Sequence, residues 1–173
     1  MSTTWSKILQ ASAHSMSMTE DSWQRHANPL SVYSRMSILP LLTLAVLSRA
    51  WLGWGALVPI ALVAVWTWWN PRAFSAPKTT KSWAAHGTFG ERVMLNHAEI
   101  PVPDHHMSWA RALAALAGVG IIPWVYGLWQ LDFGFILLGL AVTMGGKIWF
   151  VDRMVWLYQD MKSASPTYAG WER

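Results

Sequence analysis

The chain has 173 residues, which is enough for one compact domain. Charged residues make up 13% of it and hydrophobic residues 53%, with 14 tryptophans, whereas ordinary soluble domains carry about 25% charged residues. There is no cysteine, which excludes disulfide scaffolds, iron–sulfur clusters and thiol catalysis.

The basic residues give the chain a formal net charge of +4. They flank apolar runs and do not gather into one stripe, which is typical of a membrane protein and not of a nucleic-acid-binding protein. The first 35 residues hold no apolar core of the kind found in cleavable signal peptides. We therefore expect the N-terminal segment to remain in the mature protein.

The segment 1–28 is polar and is predicted to lie in the cytoplasm. Ser17 and Glu20 have the spacing of a capping box and predict a short amphipathic helix. Asn28 followed by Pro29 combines a good N-cap with a good first helical residue, so a new helix is predicted to begin there.

Apolar runs of near membrane-spanning length predict an all-α membrane protein with four transmembrane helices. The predicted spans are about 30–50, 51–69, 109–129 and 132–151. Short connections join the first to the second and the third to the fourth, so the spans form two hairpins within a domain at 29–162. The pattern also predicts a kink at Pro40, an N-cap at Asp132, and a C-terminal tail at 163–173.

The connection 70–108 is predicted to be a partly ordered cytoplasmic loop. Thr88 and Glu91 resemble a second capping box, which predicts a short helix from there to about Ala98. A loop of this length in a small protein is usually functional or flexible.

The tryptophans and the basic residues together predict an orientation. Indole rings favour the membrane–water interface, and the sequence predicts two such belts. One belt contains Trp51, Trp54, Trp124 and Trp129, and the other contains Trp66, Trp68, Trp69, Trp109 and Trp149. Twelve of the 13 Lys and Arg residues fall on the side of both termini and only Arg49 on the other, which predicts a bacterial inner-membrane protein with both termini in the cytoplasm.

Two groups of residues are candidates for contacts with other helices or with lipid. Small residues recur every four positions on the third and fourth spans, where they let helix backbones approach, either within the chain or with a partner. These residues are Ala110, Ala114, Gly118, Ala141 and Gly145. Asp152, Arg153 and Trp156 follow the fourth span and could dock a partner or an anionic lipid, or form an ordinary interfacial boundary.

All six histidines, including His14 and His86, lie on the predicted cytoplasmic side. Imidazole with a carboxylate is suitable ligation for zinc, iron or copper, so a metal or haem site is a hypothesis. Its candidate ligands are His26, His97, Asp104, His105 and His106. Scattered surface histidines are the alternative, and motifs for a nucleophile, a P-loop or a dinucleotide are absent from the sequence.

Several short stretches resemble an uncharacterised family of small prokaryotic integral-membrane proteins, known only as a domain of unknown function. They are His26-Ala27-Asn28-Pro29, the stretch Ser48 to Trp54, Gly90-Glu91-Arg92-Val93, His105-His106, and Asp152 to Tyr158. The resemblance covers about residues 20–160. It implies a helical membrane protein and supplies no activity, cofactor or catalytic residue.

These observations favour a non-enzymatic accessory or scaffold subunit of a larger membrane complex. The expected partners are the lipid bilayer and other membrane-protein subunits or further copies of the chain, without nucleic acid. The alternatives are a metal- or haem-binding redox protein with a cytoplasmic histidine site, and a protein that binds a lipid or pigment between its spans.

Overall fold

The computed structural model describes residues 19–173, and every regular element in this part of the chain is a helix. In chain order the helices are α1 (Glu20–His26), α2 (Pro29–Met36), α3 (Ile38–Leu47), α4 (Arg49–Leu52), a 3-10 turn (Gly53–Ala56), α5 (Leu57–Ala73), α6 (Trp83–Leu95), α7 (Asp104–Gln130), α8 (Phe133–Met161), a second 3-10 turn (Lys162–Ala164) and α9 (Pro166–Ala169). Three helical stretches are long and apolar enough to cross a membrane: Pro29–Ala73, Asp104–Gln130 and Phe133–Ala164.

The N-termini of α2, at Pro29, and of α8, at Phe133, follow the predicted capping chemistry. The side-chain oxygen of Asn28 accepts a hydrogen bond from the Leu30 amide at 2.9 Å, and α2 begins at Pro29. The Asp132 carboxylate accepts from the amide of Gly134 at 2.8 Å, which confirms it as the N-cap of α8. The predicted cap Ser17 lies outside the described residues, and the hydroxyl of Thr19 caps α1.

Proline and glycine mark the interruptions in the first apolar stretch. The helix breaks at Ser37, one turn before Pro40, because proline has no amide hydrogen to bond with the carbonyl of Met36. Gly53 has a φ of 55° and ends α4, which suits the residue without a side chain.

The helix in the central loop begins six residues earlier than the sequence predicted, with its N-cap at position 82 and not 88. Ser82 is its N-cap and accepts a hydrogen bond from the Ala85 amide at 3.2 Å. Thr88 lies inside the helix, where its hydroxyl donates to the carbonyl of Ala84 at 3.2 Å. The prediction of a cap at Thr88 is therefore wrong, because that hydroxyl bonds back to the preceding turn and not forward to a free amide.

The described residues form two compact units. The first, which we call the polar unit, contains residues 19–32, Pro71–Met107 and Val151–Arg173. Its core is made by the buried faces of α6 and α8, with Val93, Met154, Leu157 and Tyr158 fully buried. A side chain at Gly90 would collide with the backbone of Met154, so the two helices are in direct backbone contact at this point.

The second unit, which we call the apolar unit, contains Tyr33–Asn70 and Ser108–Phe150. In it α7 and α8 run antiparallel and meet along a line of close contacts. The paired residues are Ala117 with Gly146, Gly120 with Thr143, Trp124 with Gly139, and Gly127 with Ile136. The spacing along each helix alternates between three and four residues, which is the pattern of left-handed coiled-coil packing.

Candidate functional site

Two histidines and an aspartate from different helices lie together in the polar unit. His105 and His106 are in the first turn of α7, and Asp160 is in the last turn of α8. One potential ligand atom from each residue lies within 4.8 Å of those of the other two. His106 Nε2 and Asp160 Oδ2 are 2.8 Å apart, and the centroids of the two imidazole rings are 4.1 Å apart.

The three residues differ in how far solvent reaches them. His106 is fully buried, while His105 is exposed and the side chain of Asp160 is 54% exposed. The Nδ1 atom of His106 is buried and has no hydrogen-bond partner among residues 19–173. The site thus combines one fixed imidazole with two donors that have room to move.

Both histidines were predicted as metal ligands, whereas Asp160 was not. Asp160 is 54 residues further along the chain than His106, and no local pattern connects the two. Because α7 begins at Asp104, His105 and His106 lie about 100° apart on a helix, which places both rings within reach of the same group.

The other predicted ligands lie outside this cluster. His26 is buried, with its Nδ1 atom 3.3 Å from the hydroxyl of Ser31, and His97 Nδ1 lies 2.7 Å from the carbonyl of Met94. Asp104 is the exposed first residue of α7. His14 lies outside the described residues. The structure therefore assembles His105 and His106 with Asp160, and not with His26, His97 or Asp104.

Arg92 lies at the centre of a second polar cluster and was not among the predicted site residues. Its guanidinium makes two hydrogen bonds to the carboxylate of Glu20, at 2.6 and 3.2 Å. The same guanidinium lies 4.0 Å from the ring centroid of Trp171, a distance typical of a cation–π contact. Arg92 therefore connects α1, α6 and the C-terminal tail within the polar unit.

His86 is packed in the same unit beside a ring and a carboxylate. Its ring centroid is 5.2 Å from that of Tyr158, and its Nε2 atom is 3.9 Å from Glu172. Burial lowers the pKa of His86 below its usual value, an effect that the Glu172 carboxylate opposes and the Lys162 ammonium reinforces. The fold therefore favours the neutral imidazole.

The predicted interfacial residues fall into two groups. The most exposed indoles are Trp54, at 86%, and Trp129, at 77%, and Trp51 is also exposed. By contrast, the indole N–H of Trp124 donates to the buried hydroxyl of Thr43 at 2.9 Å, so this ring packs within the apolar unit. The remaining predicted interfacial rings, Trp66, Trp68, Trp69, Trp109 and Trp149, are half-buried or exposed.

The charged residues that follow the fourth predicted span make contacts within the polar unit. Asp152 accepts a hydrogen bond from the indole of Trp83 at 2.9 Å, and the guanidinium of Arg153 lies 5.7 Å from the ring centroid of Trp156. Trp156 is 51% exposed and is therefore still available for an external contact.

The predicted stripe of small residues differs from the line of contacts between α7 and α8. Ala110 is fully buried, but side chains placed at Gly118 or Gly145 would meet nothing within 4 Å among the described residues. Ala114 is half-buried and Ala141 is exposed. In a helix with 3.6 residues per turn, residues four positions apart are rotated by about 40° from one to the next. A stripe with this spacing therefore moves off the line of contact after one repeat.

Comparisons with known proteins identify a family but no activity. No curated protein and no solved structure matches the chain. One family model matches residues 8–172, which takes in both compact units. The chain therefore belongs to DUF6653, a family of unknown function.

Proposed function

We propose that this chain is an integral protein of the bacterial inner membrane that serves as an accessory or scaffold subunit of a larger membrane complex. The open positions at Gly118 and Gly145, both exposed on apolar helices, are the observation that supports this proposal. In lipid, helices associate where small residues let their backbones approach. These two positions offer such an approach to helices outside the chain.

The proposal includes four spans in two hairpins. α7 and α8 each have the length for one span and run antiparallel. For the stretch Pro29–Ala73, the support for two spans is a hydrogen bond of 2.7 Å from the Asn70 side chain to the hydroxyl of Ser34. A straight helix would separate these residues by about 54 Å, so the chain must turn back between them.

The exposure of the apolar stretches fits an environment of lipid and partner helices. Only 6% of the most apolar window in Pro29–Ala73 is buried within the chain, and 28% in each of the other two stretches. Surfaces this apolar would be a liability in water. The excess of basic residues on the side of both termini supports a cytoplasmic location for the termini.

The topology can be tested by cysteine labelling because the natural chain has no cysteine. Four single substitutions each place one thiol at an exposed position, either in a connection between predicted spans or near the C-terminus. They are Ala50→Cys, Ala76→Cys, Gln130→Cys and Ala169→Cys. With a membrane-impermeant maleimide on intact cells, we expect Ala50→Cys and Gln130→Cys to be labelled. The other two should react only after lysis. Protection of the Ala50 site in lysed cells, or labelling of the Ala169 site in intact cells, would contradict four spans.

The subunit role can be tested with Gly118→Leu and Gly145→Leu. A Cβ atom at either position would meet nothing within 4 Å in the described chain, so we expect unchanged thermal stability but a smaller share of high-mass complex in native detergent gels. Val119→Leu, at a 59% exposed neighbour, controls for added apolar bulk, and Gly139→Leu should unfold the unit through its clash with Trp124. A natural chain that purifies as a lone monomer would refute the subunit role.

A further inference from the structure

We propose that His105, His106 and Asp160 bind one divalent transition-metal ion, in a site that goes beyond the proposed subunit role. The three residues come from the N-terminal turn of α7 and the C-terminal turn of α8, and both turns belong to the polar unit. The inference is independent of the number of spans and of any partner protein.

The donor set determines the class of ion. Two imidazole nitrogens and one carboxylate oxygen favour zinc, iron, copper or nickel, whereas magnesium and calcium prefer sites built from oxygen. Three protein ligands leave at least one coordination position for water or a substrate, which is the arrangement of catalytic rather than purely structural zinc sites. Borderline divalent ions are therefore the expected occupants.

The distances are close to those that coordination requires. Metal bonds from imidazole and carboxylate are about 2.0–2.2 Å, so two donors of a tetrahedral ion are about 3.4 Å apart. The three ligand atoms here lie within 4.8 Å of one another. Because His105 and Asp160 are exposed, rotation of either side chain can close the remaining gap of about 1–1.5 Å.

His106 gives the site a fixed position. Its ring is fully buried, and its Nε2 atom faces the carboxylate of Asp160 at 2.8 Å. An ion bound between these two groups would take the place of any proton on Nε2, because a metal-binding imidazole nitrogen must be deprotonated. The Nδ1 atom, which is buried without a hydrogen-bond partner among the described residues, points away from Asp160 and would carry the remaining ring proton.

The charge around the site is mixed, and this allows a sharper test. The Asp160 carboxylate attracts a cation, and the positive charge of Arg153, which is a weaker electrostatic influence on His106, opposes one. Removing the charge of Arg153 should therefore not weaken the binding of an ion at this site.

The direct experiment measures binding of Zn²⁺ and Co²⁺ to tag-free protein in detergent after removal of metals with a chelator. We expect one Zn²⁺ per chain by calorimetry and elemental analysis. We also expect a Co²⁺ visible spectrum of tetrahedral or five-coordinate type that Zn²⁺ abolishes. Binding of less than about 0.2 equivalents of either ion would overturn the proposal.

Variants at the exposed donors locate the ion without disturbing the core. His105→Ala and Asp160→Asn should each weaken Zn²⁺ binding at least tenfold and change the Co²⁺ spectrum, because each removes one ligand. Asp104→Asn is the matched control, since it removes an exposed neighbouring carboxylate that lies outside the cluster. Arg153→Gln should bind Zn²⁺ at least as tightly as the natural chain. Undiminished binding in both donor variants, or an equal loss in Asp104→Asn, would place the ion elsewhere.

Discussion

The contact between α6 and α8 predicts that the smallest possible enlargement of Gly90 destabilises the protein. In Gly90→Ala, the new methyl carbon would lie on the carbonyl group of Met154, 2.5 Å from its carbonyl carbon and 2.8 Å from its Cα atom. Ordinary carbon–carbon contacts are about 3.5–4.0 Å. The clash is with backbone, so no rotation of a side chain relieves it, and the two helices must separate by about 1 Å.

The expected magnitude follows from two opposing effects. Alanine is favoured over glycine inside a helix by about 1 kcal/mol, while overpacking of a tight core costs about 1–3 kcal/mol and occasionally more. The contact lies among fully buried residues, including Val93, Met154 and Leu157, so the separation would open the core. Because the clash is with backbone, we expect the overpacking cost to reach the upper end of this range, about 3 kcal/mol. The net loss is then about 2 kcal/mol, equivalent to a decrease of about 4–8 °C in the melting temperature.

The assay compares thermal unfolding, followed by circular dichroism, for three alanine variants in one detergent. Gly87→Ala is a graded control one turn away, because its methyl group would press on a side-chain carbon of Val151 at 2.7 Å and not on nearby backbone. Gly118→Ala is an open control with no described neighbour within 4 Å. The expected order of melting temperatures is Gly118→Ala highest, then Gly87→Ala, then Gly90→Ala. A Gly90→Ala variant as stable as the natural chain would refute the close contact.

Three further predictions concern single polar groups. Because the folded-state pKa of His86 is lowered, the unfolded chain binds more protons than the folded chain below about pH 6.5. The free energy of unfolding should therefore decrease from pH 7.5 to pH 5.5 in the natural chain and decrease less in His86→Asn, as denaturant titrations at the two pH values can measure. Arg92→Ala should lower the free energy of unfolding by about 1–2 kcal/mol and change the fluorescence of Trp171, because it removes the hydrogen bonds to Glu20 and the cation–π contact. As the control, Arg25→Ala breaks the exposed ion pair with Asp21 and should lower it by only about 0.3–0.5 kcal/mol. Arg49 donates at 2.7 Å to the carbonyls of Leu128 and Trp129, so Arg49→Ala should lower the melting temperature of the natural chain and Arg49→Lys should restore only part of it.

Local chemistry predicted the helix starts where a side chain acts on its own neighbours. Asn28 and Asp132 cap helices as expected, because an N-cap depends on residues only two or three positions away. The same rule failed at Thr88, where two positions in the sequence compete for the cap. Ser82 takes it, and the helix continues through Thr88. Burial of Ala84, Ala85 and Phe89 against the rest of the unit explains the earlier start, and a local pattern does not contain that information.

Contacts between distant segments explain what the sequence could not predict. Asp160 joins His106 only because two long helices bring their outer ends together, and Arg92 reaches Glu20 across 72 residues. The spacing of close contacts between α7 and α8 could have been found by testing a repeat of alternating three and four residues in place of a strict repeat of four. That test selects Gly120, Gly127 and Gly139, which are buried, over Gly118 and Gly145.

The two kinds of helical glycine give the strongest physical reason to look for a partner. Glycine in a helix interior is disfavoured relative to alanine by about 1 kcal/mol, so each one requires a compensating contact. At Gly90, Gly127 and Gly139 that contact is visible, because a side chain would strike the backbone of a neighbouring helix. At Gly118 and Gly145 the described chain provides no such contact. If the same physical rule applies to all five, we expect a backbone from outside the described residues to approach Gly118 and Gly145, and the proposed subunit role predicts that enlarging these two positions affects assembly before it affects folding.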